Sequence, residues 1–134
     1  MKPDNLLRIA VLPLARPTFD VPFAEETCRN AWNLLVKLPA EWIGTRDLLF
    51  NADTVEAKLK ELALNPTDLL LVLQLTFTDA TMTVKLAETI AAPLLFWSFP
   101  EARTGGRLRL NSLCGINLAS HALGKSGIDA IICT

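Results

Sequence analysis

Short, nearly continuous apolar runs alternate along this chain with longer stretches whose apolar residues recur every three or four positions. The first kind of run is what a strand buried on both faces looks like; the second is one face of a helix. Arg8 to Ala15 (RIAVLPLA) is the first apolar run. Pro13 within it cannot donate to a ladder, so pairing stops there or the strand has a free side at that point. Asp20 then caps a helix from about Val21 to Lys37, with Pro22 in its first turn and Cys28, Ala31, Trp32 and Leu35 as its inner stripe. Pro39 ends it, and a short strand is expected from Thr45 to Phe50.

Asp53-Thr54-Val55-Glu56 resembles a capping box, and the helix behind it runs to Asn65-Pro66 with Val55, Leu59 and Leu62 inward. Asp68 to Thr76 (DLLLVLQLT) is the strongest buried strand. Thr78 or Asp79 caps a third helix, striped by Thr83, Leu86, Ala87 and Ile90 and ended by Pro93. Leu94 to Phe99 is strand four, Ser112 to Leu123 is helix four, and Ile128 to Cys133 is a last strand. Strands alternating with helices imply right-handed βαβ units. The expected fold is a single α/β domain over 1–134, a three-layer sandwich around a five-stranded parallel sheet in the flavodoxin-like order 2-1-3-4-5, covered on both faces. Ligands of such sheets bind at the carboxyl ends of the strands, beside the switch point between strands one and three.

Composition narrows the partners. With 134 residues, 51% hydrophobic and 20% charged, the chain fits one globular domain. A net charge of −1 argues against nucleic acid as a partner, although Arg103, Arg107 and Arg109 form a local basic patch. No apolar run approaches the ~20 residues that span a bilayer, so no membrane is expected. The opening MKPDNLLRIAVLPLARP lacks the pattern of a secretory leader. Cys28, Cys114 and Cys133 match no zinc or redox spacing. They read as reduced, mostly buried thiols of a cytoplasmic protein, Cys114 packed against the sheet.

Three loops should share the carboxyl-end rim. They carry Arg16, Thr18, Phe19 and Asp20; then Gln74, Thr76, Phe77, Thr78 and Asp79; then Glu101 and Arg103, leading to Gly105 and Gly106. Arginine, hydroxyls, an amide, a ring and a carboxylate suit a sugar-like molecule, which needs hydrogen bonds on its edge and an apolar surface against its face. Each also has a plainer role. Asp20 can be only a cap, Thr76 and Thr78 a strand end and a cap, Phe77 core, and the glycine pair a turn.

A second use of the region is an anion site at the start of helix four, built from Gly105, Gly106, Arg107, Asn111 and Ser112. No glycine lies in the first strand–helix turn, so no dinucleotide fingerprint is present. Histidine and carboxylate spacings suggest no metal site, the lone His121 is mid-helix, and no serine sits in a nucleophile elbow. Catalytic residues and cofactors within the chain are therefore expected to be none. Trp32, Trp42 and Trp97 would serve an assembly role if exposed.

Several stretches resemble one family. Leu75 to Met82 (LTFTDATM) resembles the H-T-F-S-x-A-x-M stretch of L-arabinose isomerases, followed as there by a short helix and a Pro-Leu-Leu strand, here Pro93-Leu94-Leu95. Arg16-Pro17-Thr18-Phe19-Asp20 is similar to the Arg-Pro-x-x-Asp strand exit of L-fucose isomerases, and Asn111 to Leu123 (NSLCGINLASHAL) to the helix after their glycine-rich loop. The resemblance implies the N-terminal, Rossmann-like domain of a fucose/arabinose isomerase-like protein. Such enzymes interconvert aldoses and ketoses through an enediol with a divalent metal, usually Mn²⁺. They are cytoplasmic oligomers whose metal-binding residues lie in later domains.

The implied role here is sugar recognition, with Arg16 as sugar contact, and contact with other subunits or the remaining isomerase domains. Mn²⁺ is expected only where those domains are present. The alternative is a small flavodoxin-like module that binds an anionic or phosphorylated metabolite at helix four.

Overall fold

The computed structural model describes residues 6–134. Residues 1–5, on which the reading of the leader partly rests, lie outside the described residues. In chain order the elements are β1 (Arg8–Leu14), α1 (Val21–Leu35), β2 (Glu41–Gly44), α2 (Ala52–Leu62), β3 (Leu69–Gln74), α3 (Ala80–Thr89), β4 (Leu94–Ser98), α4 (Ser112–Lys125) and β5 (Ile131–Cys133). The sheet is five-stranded, parallel throughout and ordered β2-β1-β3-β4-β5. The fold class and strand order are those expected from the sequence.

The period-two rule divides the sheet's side chains between two cores. Ala10, Leu12, Leu14, Leu70, Val72, Leu94 and Phe96 face α2, α3 and α4, packing on Val55, Leu59, Met82, Leu86, Ile116 and Leu123. Ile9, Val11, Leu71 and Leu73 face α1, packing on Ala24, Cys28, Ala31, Trp32 and Leu35. The second face carries one helix against the other's three. Toward β4 and β5 it is thinly covered: Leu95 and Trp97 are half-buried, and Ile131, in register with Leu95, is 67% exposed.

Pro13 is free at its nitrogen, where a donor would otherwise be needed. It pairs with Leu73 on the β3 side; on the other side pairing with β2 ends at Val11–Gly44, and the Pro13 carbonyl there accepts the Leu49 N–H at 2.9 Å. The missing N–H thus falls where the neighbouring strand has stopped. Gly44 marks that stop. Its φ is +106°, and a Cβ there would lie 2.2 Å from the Val11 carbonyl oxygen, so no other residue fits without moving β1.

Three local expectations need correction. The second strand is Glu41–Gly44, not Thr45 to Phe50, from which only Leu49 bridges to Leu14. On an edge, four half-buried residues suffice, and the more apolar Leu48-Leu49-Phe50 packs as loop. The capping box of α2 is Asn51 with Thr54, not Asp53 with Glu56: Asn51 Oδ1 accepts from the Thr54 N–H at 2.9 Å. Of the cysteines only Cys28 is buried, and Cys114 is exposed, because α4 turns Gly115 and Ile116 inward instead. Burial pushes the Cys28 thiol up to about 11. Among the described residues no helix is long and apolar enough to cross a membrane.

Candidate functional site

The strand exits converge as parallel topology requires. Leaving β1, the Arg16 backbone N–H donates to Thr76 Oγ1 at 2.8 Å, and that hydroxyl donates onward to the Phe77 carbonyl at 2.9 Å. The Phe77 N–H donates to the Leu110 carbonyl at 2.9 Å. Thr76 therefore ties the β1 and β3 exits together, and Phe77 ties both to the approach of α4.

Below this tie the polar groups face inward. Gln74 is fully buried, and its Nε2 donates to the Thr76 carbonyl at 2.8 Å and to Thr78 Oγ1 at 2.9 Å. The Ser112 hydroxyl donates to the Gln74 carbonyl and accepts from the Phe99 N–H at 2.9 Å, linking the ends of β3 and β4 to α4. Gly115 allows the crossing, since a Cβ there would lie 3.0 Å from Phe77 Cα. Gln74, Thr76, Thr78 and Ser112 thus shape the rim from inside, with 2% exposure or less.

The accessible rim consists of Arg16, Thr18, Phe19, Phe77 and the loop from Glu101 onward. The Arg16 guanidinium pairs with Asp79 at 3.2 Å and lies 5.9 Å from the centre of the Phe77 ring. Phe19 approaches the same ring, centroids 6.4 Å apart. The Phe77 ring thus lies under one cation and beside a second ring tilted 51° to it. An apolar C–H face can lie on such rings while the cation takes oxygen acceptors.

Glu101 does not reach outward. Its carboxylate accepts from the backbone N–H groups of Arg109 and Leu110, each at 2.8 Å, and from that of Asn111. Beside it Arg109 Nε pairs with Asp20 at 2.7 Å, and the Asp20 N–H donates back to the Arg109 carbonyl at 3.0 Å. Asp20 also caps α1 through the Phe23 N–H. The Arg109 hydrogen bond, then that of Phe23, holds the Asp20 carboxyl below its ordinary range. Arg103 to Leu108 form an exposed tip above this pinned base, turned by Gly105 and Gly106 at φ +74° and +76°. Asn111 precedes α4 at φ 54° and makes no side-chain cap.

Thr18, Phe19, Asp20, Arg107, Leu108 and Arg109 line a shallow groove of about 260 Å³. A larger hollow of about 490 Å³ lies by Arg29, Arg46, Leu48 and Phe50, next to edge strand β2 rather than at the switch point. Sequence reasoning missed two elements of the rim, the Asp79 partner of Arg16 and the Arg109–Asp20 clasp. Both pair residues far apart in sequence, and only the parallel order brings them together.

A family model described as "Fucose/sulfoquinovose isomerase, N-terminal domain" matches residues 10–134. The chain belongs to that family. A sulfoquinovose isomerase of Alkalicoccus urumqiensis is 34% identical over 118 residues, which is 88% of this chain and 26% of that protein. The sulfoquinovose isomerase of Priestia megaterium is 31% identical over 115 residues, 86% of this chain and 26% of its own length. A third, from a Clostridium species, is 28% identical over 123 residues. The chain spans about a quarter of the length of the relatives it matches. The family expected from the strand exits is the one found, on its fucose side.

A divalent cation does not fit the residues of this rim. Asp20 and Asp79 are held by arginines, Glu101 is spent on three backbone N–H groups, and no group of three or more His, Cys, Asp or Glu among the described residues could hold a metal.

Proposed function

We propose that this domain supplies part of the sugar-recognising wall of an aldose–ketose isomerase acting on sulfoquinovose or a closely similar acidic hexose. The observation that carries the reading is the Arg16–Phe77–Phe19 cluster at the switch point of a domain of this family. In this reading Arg16 donates to ring hydroxyls, Phe77 and Phe19 receive the C–H face, and Thr18 adds a hydroxyl. Gln74, Thr76, Thr78 and Ser112 set the rim's shape without touching sugar.

The metal and the groups that move protons belong to other domains or subunits. The thinly covered face around Leu95, Trp97 and Ile131 suits contact with them. The test is sulfoquinovose turnover by the intact gene product with Mn²⁺. Interconversion of the aldose and ketose forms supports the reading, and inertness toward sulfoquinovose and related hexoses overturns it.

The alternative, an anionic metabolite at the start of α4, has one observation in its favour: that helix has no side-chain cap. Against it, the Glu101 carboxylate already occupies the N–H groups of residues 109–111, so an arriving anion meets a negative charge. Inorganic phosphate binding that shifts the Asn111 and Ser112 amide resonances would favour this alternative.

A further inference from the structure

One cation at the groove beside the glycine loop has no acid paired to it among the described residues, while the Glu101 carboxylate keeps its charge at the loop's base. Arg16 is paired with Asp79 and Arg109 with Asp20, and Glu101 is bound by backbone N–H groups. Asp20 is the acid that lines the groove, and its charge is spent on Arg109. Arg107 lines the same groove and makes no ion pair or hydrogen bond among the described residues.

The chain turns just before Arg107 and is held just after it. Two consecutive residues at positive φ, Gly105 and Gly106, turn the chain just before it. Arg109, two residues later, is clasped to Asp20 and stacked over Phe23, 4.1 Å from the ring centre. Each glycine has open space where a Cβ would be, so the requirement there is conformational rather than steric. Arg107 is thus the cation without an acid partner among the residues that line the groove, beside Phe19 and Leu108.

We propose that Arg107 receives the strong-acid group of an acidic hexose, a sulfonate on the sugar's terminal carbon, and so sets preference for the charged sugar over its neutral counterpart. The proposal rests on the reading that this rim meets sugar. A sulfonate keeps its full charge at neutral pH, and its oxygens match the two parallel N–H donors of a guanidinium. The segment from Arg16 to Asp20 joins the two contacts: hydroxyls go to Arg16 and Thr18, the acid arm to Arg107. Arg103 is equally exposed, but it does not line the groove and has no such role.

The test titrates the intact gene product by calorimetry with sulfoquinovose and with glucose, which carries a hydroxyl in place of the sulfonate. The unsubstituted protein is expected to prefer sulfoquinovose. Arg107→Ala is expected to lower sulfoquinovose affinity about 10- to 100-fold and leave glucose binding and thermal melting unchanged. Arg107→Lys should recover part of the loss, and Arg103→Ala should cause none.

Retained preference in Arg107→Ala, or an equal loss in Arg103→Ala, overturns the assignment. Equal binding of the two sugars by the unsubstituted protein overturns it while leaving the sugar-binding reading in place. Binding of neither overturns both.

Discussion

Glu101 and Leu110 close the two ends of the glycine loop on each other, the carboxylate of the first accepting the backbone N–H of the second at 2.8 Å. Two further N–H groups, of Arg109 and Asn111, share that carboxylate. A side chain that looks like a sugar ligand in sequence thus acts as the loop's internal anion. Glu101→Ala leaves three donors without their acceptor in a half-buried site. The expected loss is about 1–3 kcal/mol, read as a lower urea midpoint. An unchanged midpoint would show that water replaces the carboxylate at no cost.

The Asp20–Arg109 clasp makes stability depend on acid. The Asp20 carboxyl is held below its ordinary value in the folded state, so it binds a proton less readily than when unfolded. Its contribution is present above the unfolded value of 3.8 and is lost as pH falls through the lower folded one. Asp20→Asn should therefore lower stability at neutral pH and flatten the fall between neutral and strongly acid pH. Denaturant melts across that range check it, and parallel pH curves for the two proteins would contradict it.

Gly115 lets α4 cross the ends of β3 closely. Alanine there would gain about 1 kcal/mol of helix propensity. It would also press on Phe77 Cα at 3.0 Å and the Thr76 carbonyl at 3.1 Å, both backbone atoms that give little. Overpacking of this kind costs about 1–3 kcal/mol, so Gly115→Ala should lower the melting temperature and, by displacing Phe77, weaken sugar binding. A rise in melting temperature would mean that the crossing is looser than described.

The Arg16–Asp79 pair is exposed on both sides, at 41% and 53% of the side-chain surface. Such pairs contribute about 0–1 kcal/mol to stability. Arg16→Ala should therefore leave the melt nearly unchanged while lowering sugar affinity in the intact gene product about tenfold. A large loss of stability would make Arg16 a structural residue instead.

The sheet was legible because its central strands are continuous apolar runs between strong helix signals: Arg8–Leu14 and Leu69–Gln74 carry the order almost alone. Edge strand β2 was not, because four half-buried residues leave no periodic signature and the more apolar Leu48–Phe50 lies beside them. The rim was legible as a place, since the strand exits had to share it. The direction each side chain takes was not. Gln74 turns inward because Gly115 brings α4 over it, and Glu101 turns inward because the loop returns its N–H groups eight to ten residues later. Composition and spacing carry neither fact.

The most direct measurement is a crystal structure of the intact gene product with sulfoquinovose bound. The expected result is a sugar whose hydroxyls meet the Arg16 guanidinium and whose C–H face lies on Phe77. An ordered sugar bound elsewhere in the intact protein, with no atom of this domain in contact from its own or a neighbouring subunit, would contradict the account.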